Sequence, residues 1–146
     1  MKFFLGAIGI SLLSSITFAD DITGTWRYMD DKTGEAKGLV KIEKQNNGTF
    51  AGTALKATPR TGYTAKEFCT NCPAPYTNKP IIGLQVISGL KTTDQVNYTD
   101  GKILDPVSGK LYSLKGRMSP NGKKLFLRGY LGISAVVRSQ TWLRVE

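Results

Sequence analysis

Two cysteines, Cys69 and Cys72, are the residues whose types and spacing most readily suggest chemistry in this chain. A C-x-x-C pair can hold zinc, act as a thioredoxin-like redox pair or form a local disulfide. A structural zinc site needs four ligands, and a sequence with two Cys and no His could supply them only together with a second chain. Because Pro73 and Pro75 follow where a redox motif would continue as a helix, we predict a disulfide and no metal, with a redox pair as the alternative.

The sequence contains no histidine, which removes the commonest general base and the commonest metal ligand. A serine or cysteine nucleophile would therefore lack its usual base. The paired carboxylates Asp20–Asp21 and Asp30–Asp31 fall near the start of the chain and in a turn, and no phosphate-binding or nucleophile-elbow motif is present. We predict a protein that is not an enzyme, with no catalytic residue and no cofactor.

Aromatic and polar side chains recur on alternating positions of strand-like segments. The interior of a small eight-stranded barrel is either filled by side chains or roomy enough for one small ligand. Core packing is the alternative role for each such residue, and an inward Arg128 or Arg144 would favour a ligand with an acidic head group. The predicted ligand-binding residues are Trp26, Tyr28, Tyr112, Arg128, Tyr130, Gln140 and Trp142.

The segments that carry these residues are short runs of alternating apolar and polar residues between turns, and no helical period extends over ten or more positions. Asn46-Asn47-Gly48 and Ser119-Pro120-Asn121-Gly122 are typical of hairpin turns. Because nearly every connection is short, we predict an all-β fold, an antiparallel up-and-down barrel of about eight strands, in preference to a sandwich. The predicted strands are 22–29, 39–44, 50–57, 80–87, 95–104, 111–118, 124–131 and 139–145.

One long segment, Thr58–Pro80, interrupts this rhythm with four prolines and both cysteines. We predict a loop that crosses one end of the barrel, with a short helical turn near 65–68. A disulfide between Cys69 and Cys72 would fix the conformation of this loop, and by the chain-entropy model it would stabilise the fold by about 2 kcal/mol.

The beginning of the chain has the pattern of a secretory signal peptide: Lys2, an uncharged apolar run and Thr17-Phe18-Ala19 before Asp20. We predict that residues 1–19 are a signal peptide, that 20–146 form a single domain and that the protein is periplasmic or secreted. The apolar run is shorter than the roughly 20 residues that span a bilayer, so an integral membrane protein is not predicted.

The chain is basic, with 20 Lys and Arg against 11 Asp and Glu. This charge suits an anionic envelope surface or an acidic ligand. Because the lysines are scattered, with no block of five or six like charges, nucleic-acid binding is not predicted.

Five segments in order along the chain resemble the bacterial family known as domain of unknown function 2147: 24–26, 79–84, 101–112, 128–132 and 138–145. The resemblance implies a small exported protein with a lipocalin-like, or calycin, β-barrel. Gly24-x-Trp26 is similar to the first-strand motif of lipocalins, in which an arginine of the last strand covers the tryptophan, and that arginine would be Arg144 or Arg138. Many family members carry Asp and Asn-Pro in place of the two cysteines, which weakens the redox alternative.

We therefore expect an exported lipocalin-like barrel that binds or carries a small apolar or amphiphilic molecule. The alternative is a filled barrel that serves as an envelope interaction module, in which the Thr58–Pro80 loop contacts another protein or anionic lipid headgroups. A cysteine-dependent redox protein is the third hypothesis.

Overall fold

The computed structural model describes residues 21–145 apart from 31, 60, 61, 63, 133 and 134, and at 135–137 it describes the backbone alone. The predicted signal peptide and the cleavage after Ala19 lie outside the described residues and stay predictions.

The chain forms eight antiparallel strands, and each pairs with the next until β8 pairs with β1 and closes the barrel. The predicted all-β up-and-down barrel is thus confirmed. The strands are β1 (Gly24–Met29), β2 (Ala36–Lys44), β3 (Phe50–Ala57), β4 (Gln85–Leu90), β5 (Asn97–Leu104), β6 (Leu111–Met118), β7 (Lys124–Leu131) and β8 (Ala135–Arg144). Irregularities of register lie beside Gly52, Gly101 and Gly129, where a missing side chain lets the sheet bend.

The Thr58–Pro80 loop differs from the prediction in one respect, because residues 65–68 do not form a helical turn. Phe68 instead makes an isolated antiparallel bridge with Pro80, and the amide of Cys69 donates to the carbonyl of Lys79. Ile81 likewise donates to the carbonyl of Glu67. The backbone groups that a helix would pair locally therefore bond across the loop, and β4 begins at Gln85, after the Gly83 turn, and not at Pro80.

One end of the barrel is closed by Trp26 and Arg144, which are paired residues of β1 and β8. Trp26 is fully buried, and its indole Nε1 donates to the carbonyl of Ile22 at 2.8 Å. The Arg144 guanidinium lies 4.4 Å from the centroid of the Trp26 ring. It also donates to the carbonyls of Gly122, Thr23 and Asp21 at 2.7, 2.6 and 2.8 Å. Arg144, and not Arg138, is therefore the arginine that covers the tryptophan.

Tyr98 completes the closed end with an edge-on contact to Phe50, the ring centroids being 5.5 Å apart. The amide of Ile22 donates to the Tyr98 hydroxyl at 3.2 Å, and the hydroxyl donates to the carbonyl of Gln95 at 3.4 Å. Burial of the phenol disfavours the phenolate and raises the pKa of Tyr98 to about 12.

This raised pKa predicts a loss of stability in alkaline solution. Tyrosine in the unfolded chain ionises near pH 10, whereas folded Tyr98 keeps its proton until about pH 12. The free energy of unfolding that Tyr98 contributes is therefore complete below pH 10 and falls by about 2 kcal/mol between pH 10 and 12. Chemical denaturation at several pH values measures it. Because Tyr98→Phe cannot ionise, the stability difference between wild type and this variant should shrink over that interval, and a difference that stays constant would contradict the assignment.

Candidate functional site

The opposite end of the barrel contains a cavity of about 160 Å³ that opens to solvent. The β1–β2, β3–β4 and β5–β6 connections lie at this end, and every strand contributes a lining residue. Because side chains alternate along a strand, about every second residue of each strand points into the barrel. Its aliphatic lining includes Val40, Ala54, Val86, Ile103, Leu114 and Leu127.

One wall of this pocket is aromatic. The rings of Tyr28 and Trp142 are tilted by 40° with centroids 5.8 Å apart, and Tyr112 of β6 also lines the cavity. Trp142 Nε1 donates to Gln140 Oε1 at 2.9 Å, so the indole donor is satisfied within the wall. What the wall offers a ligand is therefore mainly apolar ring surface.

The rim of the pocket is charged. Arg138 Nη1 and Asp105 Oδ2 form an ion pair of 3.3 Å, and both side chains are partly exposed. Lys37 at the start of β2 and Lys66 of the long loop also border the cavity. The pocket thus changes from apolar in its depth to charged at its mouth, with three cationic side chains and one carboxylate.

The Thr58–Pro80 loop, which carries both cysteines, packs directly on the β5–β6 turn that forms part of this rim. Cys69 and Cys72 form the predicted disulfide, with Cα atoms 5.4 Å apart, and both are buried. Their sulfurs lie 4.0 and 3.7 Å from the carbonyl oxygen of Pro106. Gly109 has φ +79°, and a Cβ there would overlap the carbonyl oxygen of Asn71. The loop and the turn are therefore fitted closely together.

Burial of both sulfurs disagrees with the redox alternative, since a catalytic thiol must be reached by its substrate. The disulfide instead holds the loop against Pro106, whose neighbours Asp105 and Val107 line the pocket. It thereby ties the loop to the part of the rim that Asp105 and Val107 form.

The disulfide should contribute modestly to stability. Reduction is expected to lower the free energy of unfolding by about 2 kcal/mol, because so short a loop removes little entropy from the unfolded chain. Denaturation of the wild type with and without reductant measures the change. A Cys69→Ser/Cys72→Ser variant should show the lower stability under both conditions, and a reductant effect that persists in this variant would contradict the explanation.

The seven predicted ligand-binding residues fall into three groups: four line the pocket, Trp26 packs in the closed end, and Arg128 and Tyr130 lie on the outer surface. Tyr28 of β1, Tyr112 of β6, and Gln140 and Trp142 of β8 line the pocket together. Trp26 is inside the barrel but packs in the closed end, where Arg144 covers it. That four of them come together at one cavity does not test whether they bind a ligand, which stays a prediction.

The inward placement of Arg128 and Tyr130 was wrong. Strand β7 directs Leu125, Leu127 and Gly129 inward, so the residues between them lie on the outer surface, where Arg128 is exposed. The prediction favoured the aromatic face of β7 over the leucine face. The available signal was Gly129 in the pattern Leu125-x-Leu127-x-Gly129, because a glycine inside a strand often marks a place where a ligand or another part of the chain approaches closely.

The charged rim was missed altogether. Arg138 and Asp105 are 33 positions apart and come together only through barrel closure. Asp105 was interpreted as a turn residue, which it also is, since its carboxylate accepts from the amide of Val107 at 2.9 Å.

Among the described residues, no cluster of three or more His, Cys, Asp or Glu side chains could hold a metal ion. In the same part of the chain no helix has the length and apolar character needed to cross a membrane.

Comparisons with known proteins agree with this architecture. A model of the family described as "Uncharacterized protein conserved in bacteria (DUF2147)" matches residues 24–144. The chain is also similar to the solved structure of protein HP1028 from the human pathogen Helicobacter pylori, which is described as belonging to the lipocalin family. The two are 21% identical with a TM-score of 0.71, over 86% of this chain and 84% of that one. At this identity the likeness shows a shared lipocalin-like fold. No curated protein matches the sequence.

Proposed function

The chain belongs to the bacterial DUF2147 family, and from this membership and the open pocket we propose that it is an exported barrel that binds or carries a small apolar or amphiphilic molecule in the cell envelope. The observation that carries the proposal is the cavity at the open end, which is lined by apolar side chains and an aromatic wall. Pockets of this composition, with a few polar groups at defined positions, are typical of small-molecule sites. The proposed role is binding without catalysis.

The dimensions of the cavity limit what it can enclose. A volume of about 160 Å³ is close to that of cavities that hold a benzene-sized molecule. The enclosed part of the ligand would therefore be a ring or the end of an acyl chain, held against Tyr28, Tyr112 and Trp142. The remainder of a longer molecule would lie in the open mouth.

The charges at the mouth favour an amphiphile over a purely apolar molecule. Lys37, Lys66 and Arg138 border the pocket together with one carboxylate, Asp105. A ligand whose apolar end fills the cavity would place its polar end among these groups, where the polar end stays hydrated and meets a net positive charge. The filled-barrel alternative fits the closed half of the molecule, where Trp26, Phe50 and Tyr98 pack together, but does not fit the open half.

Mass spectrometry of small molecules that co-purify from the native envelope tests this function. The wild type should carry an apolar or amphiphilic species, with about one molecule for each chain. The same species should be depleted from Ala54→Phe, because the added phenyl ring would occupy the cavity. A wild type that carries nothing and binds no added apolar molecule would overturn the proposal.

A further inference from the structure

The positive charge of this protein is concentrated in its last three strands. The last 41 residues, 106–146, contain eight Lys and Arg but a single acid, Glu146, and the first 105 contain twelve Lys and Arg against ten acids. Of the net charge of +9, +7 therefore belongs to the C-terminal part. The lysines are scattered along the sequence, but the absence of acids from 106–145 is what makes this part of the barrel basic.

Four of these cations lie together on the outer surface of the β6–β7 hairpin. Lys115, Arg117, Lys124 and Arg128 are all exposed, whereas Gly116, Leu125 and Leu127 between them point inward and are buried or nearly so. We call these four residues the basic face. Lys124 and Arg128 are four positions apart on one strand, so the face extends over about 13 Å.

The register of the hairpin brings like charges directly opposite one another. Lys115 pairs with Arg128 across the two strands, and the next outward pair is Arg117 with Phe126. Like charges directly opposite in an antiparallel sheet are destabilising. Within the described residues none of the four cations forms an ion pair, whereas Lys41 on the far side of the barrel lies 3.3 Å from Glu43. The basic face thus keeps an uncompensated charge that opposes folding.

Two aromatic rings support this arrangement. Lys115 Nζ lies 5.5 Å from the centroid of the Tyr130 ring, and Arg117 Cζ lies 5.5 Å from that of Phe126. These contacts take the place that acidic neighbours would normally have. Proteins that bind single-stranded nucleic acids stack the bases on aromatic rings. Here each ring already packs against a cation, so this arrangement does not favour nucleic-acid binding.

We propose that the basic face binds the surface of an anionic lipid bilayer. Lipid headgroups move laterally and can match a fixed pattern of cations, and each Lys or Arg near such a surface strengthens binding about fivefold. Half-buried Phe126 and Tyr130 suit the level of the headgroups, where aromatic rings are enriched. The inward side of the same hairpin contributes Tyr112, Leu114 and Leu127 to the pocket. The surface proposal stands whether or not the pocket binds a ligand.

Co-sedimentation with vesicles tests the proposal. The wild-type protein should bind vesicles of phosphatidylcholine mixed with phosphatidylglycerol, and should bind phosphatidylcholine vesicles weakly. The variant Lys115→Gln/Arg128→Gln is expected to bind the anionic vesicles about 25-fold more weakly, at about fivefold for each cation removed. Its matched control, Lys44→Gln/Lys56→Gln, removes two exposed cations from β2 and β3 and should bind nearly as well as the wild type. Added salt should weaken wild-type binding by screening.

Thermal unfolding separates this effect from misfolding. Because Lys115→Gln/Arg128→Gln removes a pair of opposed like charges, it should be at least as stable as the wild type while binding vesicles poorly. Equal losses of vesicle binding in both double variants would mean that net charge alone is responsible, and would overturn the proposal. It would also be overturned if no binding to anionic vesicles occurs, or if a single-stranded oligonucleotide displaces the protein from them at equal phosphate concentration.

Discussion

Replacing Trp26 by alanine is expected to lower the free energy of unfolding by about 4 kcal/mol, within the range for buried Trp→Ala changes. Trp26 is fully buried, and it joins β1 to β8 at the seam where the barrel closes. Its removal leaves the Ile22 carbonyl without the indole donor, and it takes away the ring that the Arg144 guanidinium covers. Since small domains are stable by only about 5–15 kcal/mol, this variant should be close to unfolding.

Two variants show whether the loss comes from the closed end. Trp26→Phe keeps a ring below Arg144 but loses the hydrogen bond to Ile22 and part of the ring volume, so it should cost about 2–3 kcal/mol, less than Trp26→Ala. Tyr130→Ala removes a ring from the half-buried outer surface and should cost less than Trp26→Ala. Denaturant titration of the three variants measures the order, and a cost for Trp26→Ala no greater than that for Tyr130→Ala would contradict the account of the closed end.

Filling the pocket should abolish binding at the other end without harming the fold. Ala54 of β3 is a small inward residue that lines the cavity. Ala54→Phe places a phenyl ring in a space close to the size that holds benzene, so a ligand could enter only by displacing it. We expect at least a tenfold loss of affinity for a fluorescent fatty acid, measured by titration, because a tenfold change corresponds to about 1.4 kcal/mol. The free energy of unfolding should stay within about 1 kcal/mol of the wild type, because the added ring fills an existing cavity.

The control for this prediction lies one residue away. Thr53 is on the same strand but does not line the cavity, so Thr53→Phe adds the same ring outside the pocket and should bind the probe as the wild type does. Equal affinity in Ala54→Phe and Thr53→Phe would show that the probe binds elsewhere.

Alternation and turn chemistry were sufficient to predict most of the barrel. Strands β3, β6 and β7 have the predicted bounds because each runs from one turn to the next in clear alternation. Strand β4 was misplaced because residues 80–84 are apolar but turn at Gly83, where the loop bonds back to β3. Within this run Leu84 is buried and Ile81 half-buried, whereas Pro80 and Ile82 are exposed, so the apolar composition did not mark a strand.

The site was harder to predict than the fold for two physical reasons. On β7 both faces carry large side chains, and apart from Gly129 the sequence does not distinguish them, whereas the closed barrel places Leu127 inward and Tyr130 outward. At the mouth, the Arg138–Asp105 ion pair and the contact of the disulfide with Pro106 join segments more than 30 positions apart. Such contacts depend on the docking of the loop, for which local sequence carries no signal.

The central claim is that a small apolar or amphiphilic molecule enters the pocket beside Trp142, and the two tryptophans provide its most direct test. A fatty acid brominated along its chain quenches only a tryptophan that it touches. In Trp26→Phe, whose one tryptophan is Trp142 in the pocket wall, addition of this probe should quench the fluorescence saturably. In Trp142→Phe, where Trp26 is sealed in the closed end, the quenching should be absent. Equal quenching of both tryptophans, or none of Trp142, would contradict the assignment of the pocket.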